Sequence, residues 1–296
     1  MRVLIAYLLF SLSFSFGVEK LFYIMGTYAH VELPSEREVY KAYRVMHSLE
    51  RKLSDYIGDS EVSEVNRKAG ISPVVVSPET LEVVRLALEV SKRTYGYFDI
   101  TIGAVTVNHK RLGLIPLNEA QKLVNFRNVV IGKNTLFLKD KGMAIDLGGI
   151  GKGYALDVAY RTLDSPWGFI GIAGDMKVWG TEKVLAVKDP LSGGSLLQGV
   201  NRGDLCISTS GNYVKRHIDN RDRELVQVTV VHDICTFADA YATALFSMPR
   251  SLRKNFLKEN PEVGVLELYS DGSLYMNDSF RKRFRLLILK TDMQSQ

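Results

Sequence analysis

Residues 145–157 read IDLGGIGKGYALD. The pattern predicts a strand ending at Asp146, a turn carrying Gly148, Gly149, Gly151 and Gly153, and a helix whose apolar face is Ala155, Ala159 and Leu163. Glycine lets main-chain amides approach an anion closely, and a helix start adds the positive end of its dipole, so a phosphate or diphosphate suits this turn. A Walker loop would place Ser or Thr after Lys152, where Gly153 stands, and the glycine spacing of a dinucleotide-binding turn is not met either. Taken alone, the segment also reads as a tight strand-to-helix turn with no ligand.

On either side of this stretch the chain alternates helices and hairpins. Ser35 followed by Glu38 is a capping box, and Val39, Ala42, Met46, Leu49 and Leu53 then fall on one helical face. A second helix opens at Ser77 with Pro78, runs through Leu81, Val84 and Leu88, carries Lys92 and Arg93 at its end and stops near Gly96. Strand signals lie at Ala29, Val31 and Leu33, at 129–131 and 136–138 around 132–134, and at 169–172 and 184–187. Residues 226–231 read as a further strand, 236–248 as a helix, and 263–275 as a hairpin turning at 270–272. This is an α+β pattern with mixed or antiparallel sheets and packed helices, without a regular βαβ wind.

The helix predicted from Thr236 places Asp239 and Thr243 four residues apart, so their oxygens project from one face. Hard cations such as Mg2+ take oxygen ligands and complete their shell with water and substrate phosphates. The alternative is an Asp offsetting the helix dipole and an ordinary buried hydroxyl.

The 296 residues carry 38 Lys plus Arg against 33 Asp plus Glu, with 46% hydrophobic and 24% charged side chains, which excludes a disordered or collagen-like chain. Length allows one large domain or two. The positive charge is spread, with small clusters at 221–223 and 281–285 and no nucleic-acid-binding module, so no nucleic-acid partner is expected. Arg2, the apolar run 3–16 and the small residues at 15–17 have the plan of a secretory signal peptide over 1–17, shorter than the ~20 residues of a membrane span. No cysteine lies just after that run, so a lipid-anchored form is not expected; the mature part is expected to be 18–296 and to be exported, periplasmic or membrane-associated. The only cysteines are Cys206 and Cys235. An oxidising compartment permits a bond between them, their pairing is not readable from spacing, and Cys235 also reads as a small buried hydrophobe ahead of the helix. No histidine or cysteine has zinc-ligand or CxxC spacing.

Seven segments, in order, resemble the ApbE family of flavin transferases: Met25–Gly26–Thr27; Ser54, Asp55 and Tyr56 with Ser60 and Glu61; Gly96, Phe98, Asp99, Thr101 and Gly103; 145–157; Ala173, Gly174 and Asp175; 208–211; and 238–245. The resemblance covers most of residues 25–250. It implies an architecture related to the T-fold and an enzyme that splits FAD with Mg2+, joins FMN to a Thr or Ser hydroxyl of an acceptor protein and releases AMP. It further implies Asp239, Thr243 and the main-chain oxygen of Gly151 as metal ligands, and Met25, Tyr56, Glu61, Asp99, Gly148, Gly149, Lys152 and Asp175 in the flavin pocket. The acceptor would be a subunit of a membrane-associated or exported redox complex.

Attack on phosphorus calls for positioning and charge neutralisation, which a cation and the amides of the glycine turn supply. His217, after the 208–211 segment, is a candidate to take the proton of the acceptor hydroxyl, or an exposed loop histidine. Here the chain departs from the family: only six positions separate Gly211 from His217, and no proline follows at 218–220. Gly151 replaces the usual alanine and Ala173 the usual glycine, small side chains expected to leave the backbone geometry workable. Hydrolysis of FAD to FMN and AMP, or flavin binding without turnover, are the alternatives.

Overall fold

The computed structural model describes residues 17–211 and 222–289, so His217 and residues 1–16 of the predicted export signal lie outside the described residues. The described chain opens with a hairpin, β1 (Val18–Ile24) and β2 (Thr27–Leu33), turned by Met25 and Gly26, both at positive φ as a two-residue primed turn requires. Helix α1 (Glu36–Leu53) is capped by Ser35, whose hydroxyl accepts from the Glu38 amide, and it buries Val39, Ala42, Met46, Leu49 and Leu53, the five positions expected from periodicity. The Glu38 carboxylate accepts from the Asp164 amide and the Ser165 hydroxyl, tying α1 to a distant loop.

Then come α2 (Glu61–Arg67), β3 (Val74–Val75) and α3 (Pro78–Arg93), the last capped by Ser77 and terminated by Tyr95 and Gly96 at positive φ. A short 3-10 turn, a π-helix at Ala104–Arg111, α4 (Leu117–Lys122) and the hairpin β4 (Val129–Ile131) to β5 (Thr135–Leu138) follow. The remainder is α5 (Gly151–Thr162), β6 (Gly168–Ile172), β7 (Asp175–Trp179), β8 (Val184–Lys188), β9 (Ser195–Asn201), β10 (Leu205–Gly211), β11 (Leu225–His232), α6 (Cys235–Ser247), α7 (Arg250–Glu259), β12 (Gly264–Tyr269), β13 (Leu274–Met276), α8 (Asp278–Arg283) and β14 (Phe284–Leu289).

An eight-stranded sheet in the order β1-β2-β6-β7-β10-β11-β12-β13 forms the centre, with every neighbouring pair antiparallel. Two three-stranded antiparallel sheets, β14-β9-β8 and β3-β5-β4, flank it. Among the described residues the sheets are thus antiparallel and none is mixed. Helix α6 lies on β10 and β11, α5 packs on α6, and α1 packs on α5. Helix α6 is buried on nearly all sides, and Ala238, Ala240, Ala242 and Ala244 give it both helix propensity and a slim cross-section. A second core, including Val178, Leu185, Leu197, Ile207 and Phe280, fills the other face of the central sheet.

One expectation is corrected, and two alternatives that the sequence leaves open are decided. Residues 145–146 are not a strand: their backbone is held by the Asn66 side chain, which bonds both the amide and the carbonyl of Ile145, and by the Ile100 carbonyl, which accepts from the Asp146 amide. Cys206 and Cys235, whose pairing spacing left open, form a disulfide across a Cα–Cα distance of 4.9 Å. Helix α6 begins at Cys235, so Asp239 lies a full turn inside it, past the first turn in which a carboxylate offsets the dipole.

Candidate active site

Helix α5 begins in the glycine-rich turn, and its first turn is pressed against the first turns of α6. The Gly153 amide donates to Oδ2 of Asp239 at 3.0 Å. A Cβ at Gly153 would stand 2.2 Å from the Cys235 carbonyl oxygen and one at Gly149 would stand 3.0 Å from Oγ1 of Thr243, so glycine is what lets the turn come this close to α6. Asp239 and Thr243, on one helix, and the turn at 148–153 therefore share one site.

Lys152 spans two carboxylates. Its Nζ is 2.8 Å from Oδ2 of Asp175 and 3.4 Å from Oδ2 of Asp239, and it also donates to the Gly148 carbonyl at 3.3 Å. The other Asp175 oxygen accepts from the Ser208 hydroxyl, which fixes the carboxylate at the start of β7 against β10. Burial works against the Lys152 ammonium, but Asp175 and then Asp239 outweigh it and hold its pKa above the ordinary lysine value. Asp239 is pushed up to about 6, first by burial and then by Asp175, against the pull of Lys152 and the Gly153 amide. Two carboxylates thus share one ammonium, and the cluster has room for further positive charge.

The turn also offers donors. The Gly148 amide is taken by Asp146 at 2.8 Å, and Ile150 and Gly151 donate to the Leu147 carbonyl. Among the described residues the amides of Gly149 and Lys152 have no acceptor, and the Thr243 hydroxyl makes no hydrogen bond. Amides left open at the start of a helix of this length suit an anion.

The other candidate residues divide. Tyr56 is 80% exposed, and the Arg111 guanidinium lies 4.0 Å from its ring centroid, leaving the other face free. Arg111 is fixed by Oδ2 of Asp55 at 2.7 Å and by the Asp55 carbonyl. Burial and then Asp146 raise the pKa of Asp55, against Arg111. Because Asp146 bonds the Gly148 amide, that pairing links the ring platform to the glycine turn. Glu61 directs Oε2 to the amide and hydroxyl of Ser77 and to the Thr80 hydroxyl, clamping the start of α3. Asp99 takes the Thr101 amide and hydroxyl on one oxygen and the Phe126 amide on the other, and burial raises its pKa. Both acids are engaged in holding loops. Met25 sits in the β1–β2 turn with its amide on Glu50 at 2.6 Å. His217 lies outside the described residues.

Sequence reasoning missed two functional supports. Asp157 accepts from the amides of Cys235 and Thr236 and from the Thr236 hydroxyl, capping α6 from a neighbouring helix. Its place at the end of the 145–157 segment was the available signal. Arg111 ends a π-helix, which a 3.6-residue period does not find.

The fold and site define a class: an antiparallel sheet whose covering helices set a glycine-rich helix start against buried carboxylate and hydroxyl oxygens. The model of the ApbE family matches residues 25–266, and the chain belongs to that family. The chain is similar to the FAD:protein FMN transferase of Vibrio cholerae serotype O1, 28% identical over 278 residues that span 80% of this chain and 82% of the relative. It is also similar to that of Treponema pallidum, 26% identical over 320 residues, covering 89% and 88%. Among solved structures, the flavin transferase ApbE of Vibrio cholerae superposes with a TM-score of 0.79 at 25% identity, over 90% of this chain and 99% of the other. The ApbE protein of Thermotoga maritima gives 0.80 at 23% identity, over 91% and 99%, a likeness of fold.

Proposed function

We propose that this protein transfers FMN from FAD to a Thr or Ser hydroxyl of an acceptor protein, releasing AMP, in a Mg2+-dependent reaction outside the cytoplasm. The observation that carries the reading is the convergence of Asp239 and Thr243 with the turn at 148–153. Relatives named FAD:protein FMN transferase support the reaction class.

The donor set fits a hard cation: a buried carboxylate only partly neutralised by Lys152, and a hydroxyl without a hydrogen bond. Asp239, Thr243 and the main-chain oxygen of Gly151 would hold Mg2+, which when bound neutralises charge on the diphosphate oxygens. The free amides of Gly149 and Lys152 bind phosphate oxygen, and Gly148, held by Asp146, keeps the turn in shape. Asp175 and Ser208 fix the Lys152 ammonium beside the reacting phosphates. Tyr56, backed by Arg111, offers one face to a flat ring of FAD. Met25 places the β1–β2 turn, and Glu61 and Asp99 hold the surrounding loops. The acceptor hydroxyl attacks phosphorus without a protein nucleophile, and its proton passes to a base, the role assigned to His217.

Export is the second half of the reading. The apolar stretch at 3–16 supports it, as does the disulfide, a bond that persists chiefly in oxidising compartments. Among the described residues no helix is long and apolar enough to cross a membrane. The acceptor is then a subunit of a membrane-associated or exported redox complex.

The test is incubation with FAD and Mg2+, with and without a Thr- or Ser-bearing acceptor, followed by nucleotide and mass analysis. FMN on the acceptor and AMP should appear together, and Asp239→Ala should abolish both. Free FMN and AMP without acceptor would replace transfer with hydrolysis; tight flavin binding with neither product would replace it with a carrier role.

A further inference from the structure

Cys206 lies in β10 opposite His232 of β11, and Cys235 is the first residue of α6; both are buried. Two positions along the strand from Cys206, Ser208 bonds Asp175. One turn along the helix from Cys235, on the same face, stands Asp239. Lys152 joins the two carboxylates, at 2.8 Å and 3.4 Å. Strand, Asp175, Lys152, Asp239, helix and disulfide form a closed ring, covalent on one side and ionic on the other.

The ionic side depends on one ammonium. Asp175 and Asp239 are buried, and Lys152 between them draws the first turns of α6 toward β7. A cation on Asp239 would compete with that pull, whereas the disulfide joins the start of α6 directly to β10 and holds it there without the ammonium.

We propose that the Cys206–Cys235 bond is a positioning element for Asp239: closing it fixes the carboxylate against the glycine turn, so that the cation site is complete only in the oxidised chain. The geometric claim stands on the ring alone, and its consequence for cation binding rests on the function proposed above. Formation is thiol–disulfide exchange with an exported oxidant carrying a disulfide. The two thiols lose two electrons and two protons as their S–S bond forms, and the oxidant's disulfide takes both and leaves as two thiols. Because both sulfurs are buried, the bond closes as the chain folds, and a chain retained in a reducing compartment would hold FAD without a complete site.

The test compares the full chain refolded with oxidised glutathione, the same chain refolded with dithiothreitol, and the Cys206→Ala, Cys235→Ala double variant. Two quantities are read at neutral pH: hydrogen exchange of the Gly153 amide, with amides of α1 as reference, and Mn2+ affinity by electron paramagnetic resonance. In the reduced and variant chains Gly153 exchange should be about tenfold faster with α1 unchanged, and Mn2+ should bind about tenfold more weakly. Unfolding the reduced wild type and refolding it with oxidised glutathione should restore both. Equal Gly153 exchange in all forms overturns the proposal, as does parallel acceleration of Gly153 and α1, which would make the bond a general stabiliser. A selective response at Gly153 with no Mn2+ binding in any form would leave the tether standing and overturn the metal reading instead. If the double variant does not fold, the reduced wild type carries the comparison.

Discussion

The amide of Gly153 donates to Oδ2 of Asp239 at 3.0 Å across 86 positions of sequence, and that contact is where the glycine turn and the carboxylate helix meet. The approach depends on the missing side chain. In Gly153→Ala the new Cβ would stand 2.2 Å from the Cys235 carbonyl oxygen and 2.8 Å from Cβ of Asp239. Two helices would have to separate, at an expected cost of about 3 kcal/mol. Gly151→Ala is the control: its nearest neighbour would be Cβ of Leu147 at 3.9 Å, so the variant should gain roughly 0.5–1 kcal/mol from reduced unfolded-state entropy. Urea unfolding midpoints moving in opposite directions would bear this out, and two unchanged midpoints would refute it.

Asp157 holds the start of α6 by three hydrogen bonds from donors on Cys235 and Thr236. Asp157→Ala leaves those donors without their carboxylate, and a loss of about 2 kcal/mol is expected. Calorimetry should record a lower Tm, together with weaker cation binding because Asp239 rides on the same helix. An unchanged Tm would mean that α6 is held by its packing alone.

The raised pKa of Asp239 gives a sign that can be checked. Between the ordinary 3.8 and about 6 the folded, metal-free chain keeps a proton that the unfolded chain has released, so this group's contribution to stability falls as pH rises through that window. A cation needs the ionised form. Mn2+ affinity should therefore be flat above about pH 6 and weaken by about tenfold per pH unit below it. A titration followed by electron paramagnetic resonance reads the slope directly, and a flat profile from pH 5 to 7 would contradict a raised pKa at a cation-binding Asp239.

Ala173 sits at φ 51°, at the first of the two turn positions between Ile172 and Asp175. The sequence led to the expectation that alanine leaves this turn workable, and the turn does form, but in the left-handed region that glycine adopts without strain. Ala173→Gly should stabilise the protein by roughly 0.5–1 kcal/mol after the entropy of the unfolded glycine is deducted. Thermal unfolding measures it, and a lower Tm would contradict the strain.

Local signals were legible in the sequence and long-range ones were not. The apolar face of α1, the Ser77 cap and the Asp239–Thr243 pair each depend on residues three or four apart, and the structure reproduces them. The glycine turn was readable as a close approach, and Gly149 and Gly153 are the positions where α6 leaves no room for a side chain. Residues 145–146 read as a strand because apolar residues lead up to Asp146 ahead of the glycine turn, yet their partners are the Asn66 side chain and the Ile100 carbonyl, which no periodicity predicts. The order of the central sheet, the cap by Asp157 and the Cys206–Cys235 bond all join positions far apart in sequence. Arg111 reaches Tyr56 from the end of a π-helix, whose spacing breaks the helical period.

The most direct measurement is a crystal structure of the full chain with FAD and Mn2+, with the ion located by anomalous scattering. The account predicts an ion bonded to a carboxylate oxygen of Asp239 and to Oγ1 of Thr243, with the FAD diphosphate over the amides of Gly149 and Lys152. An ion away from Asp239, or a diphosphate bound elsewhere on the protein, would contradict it.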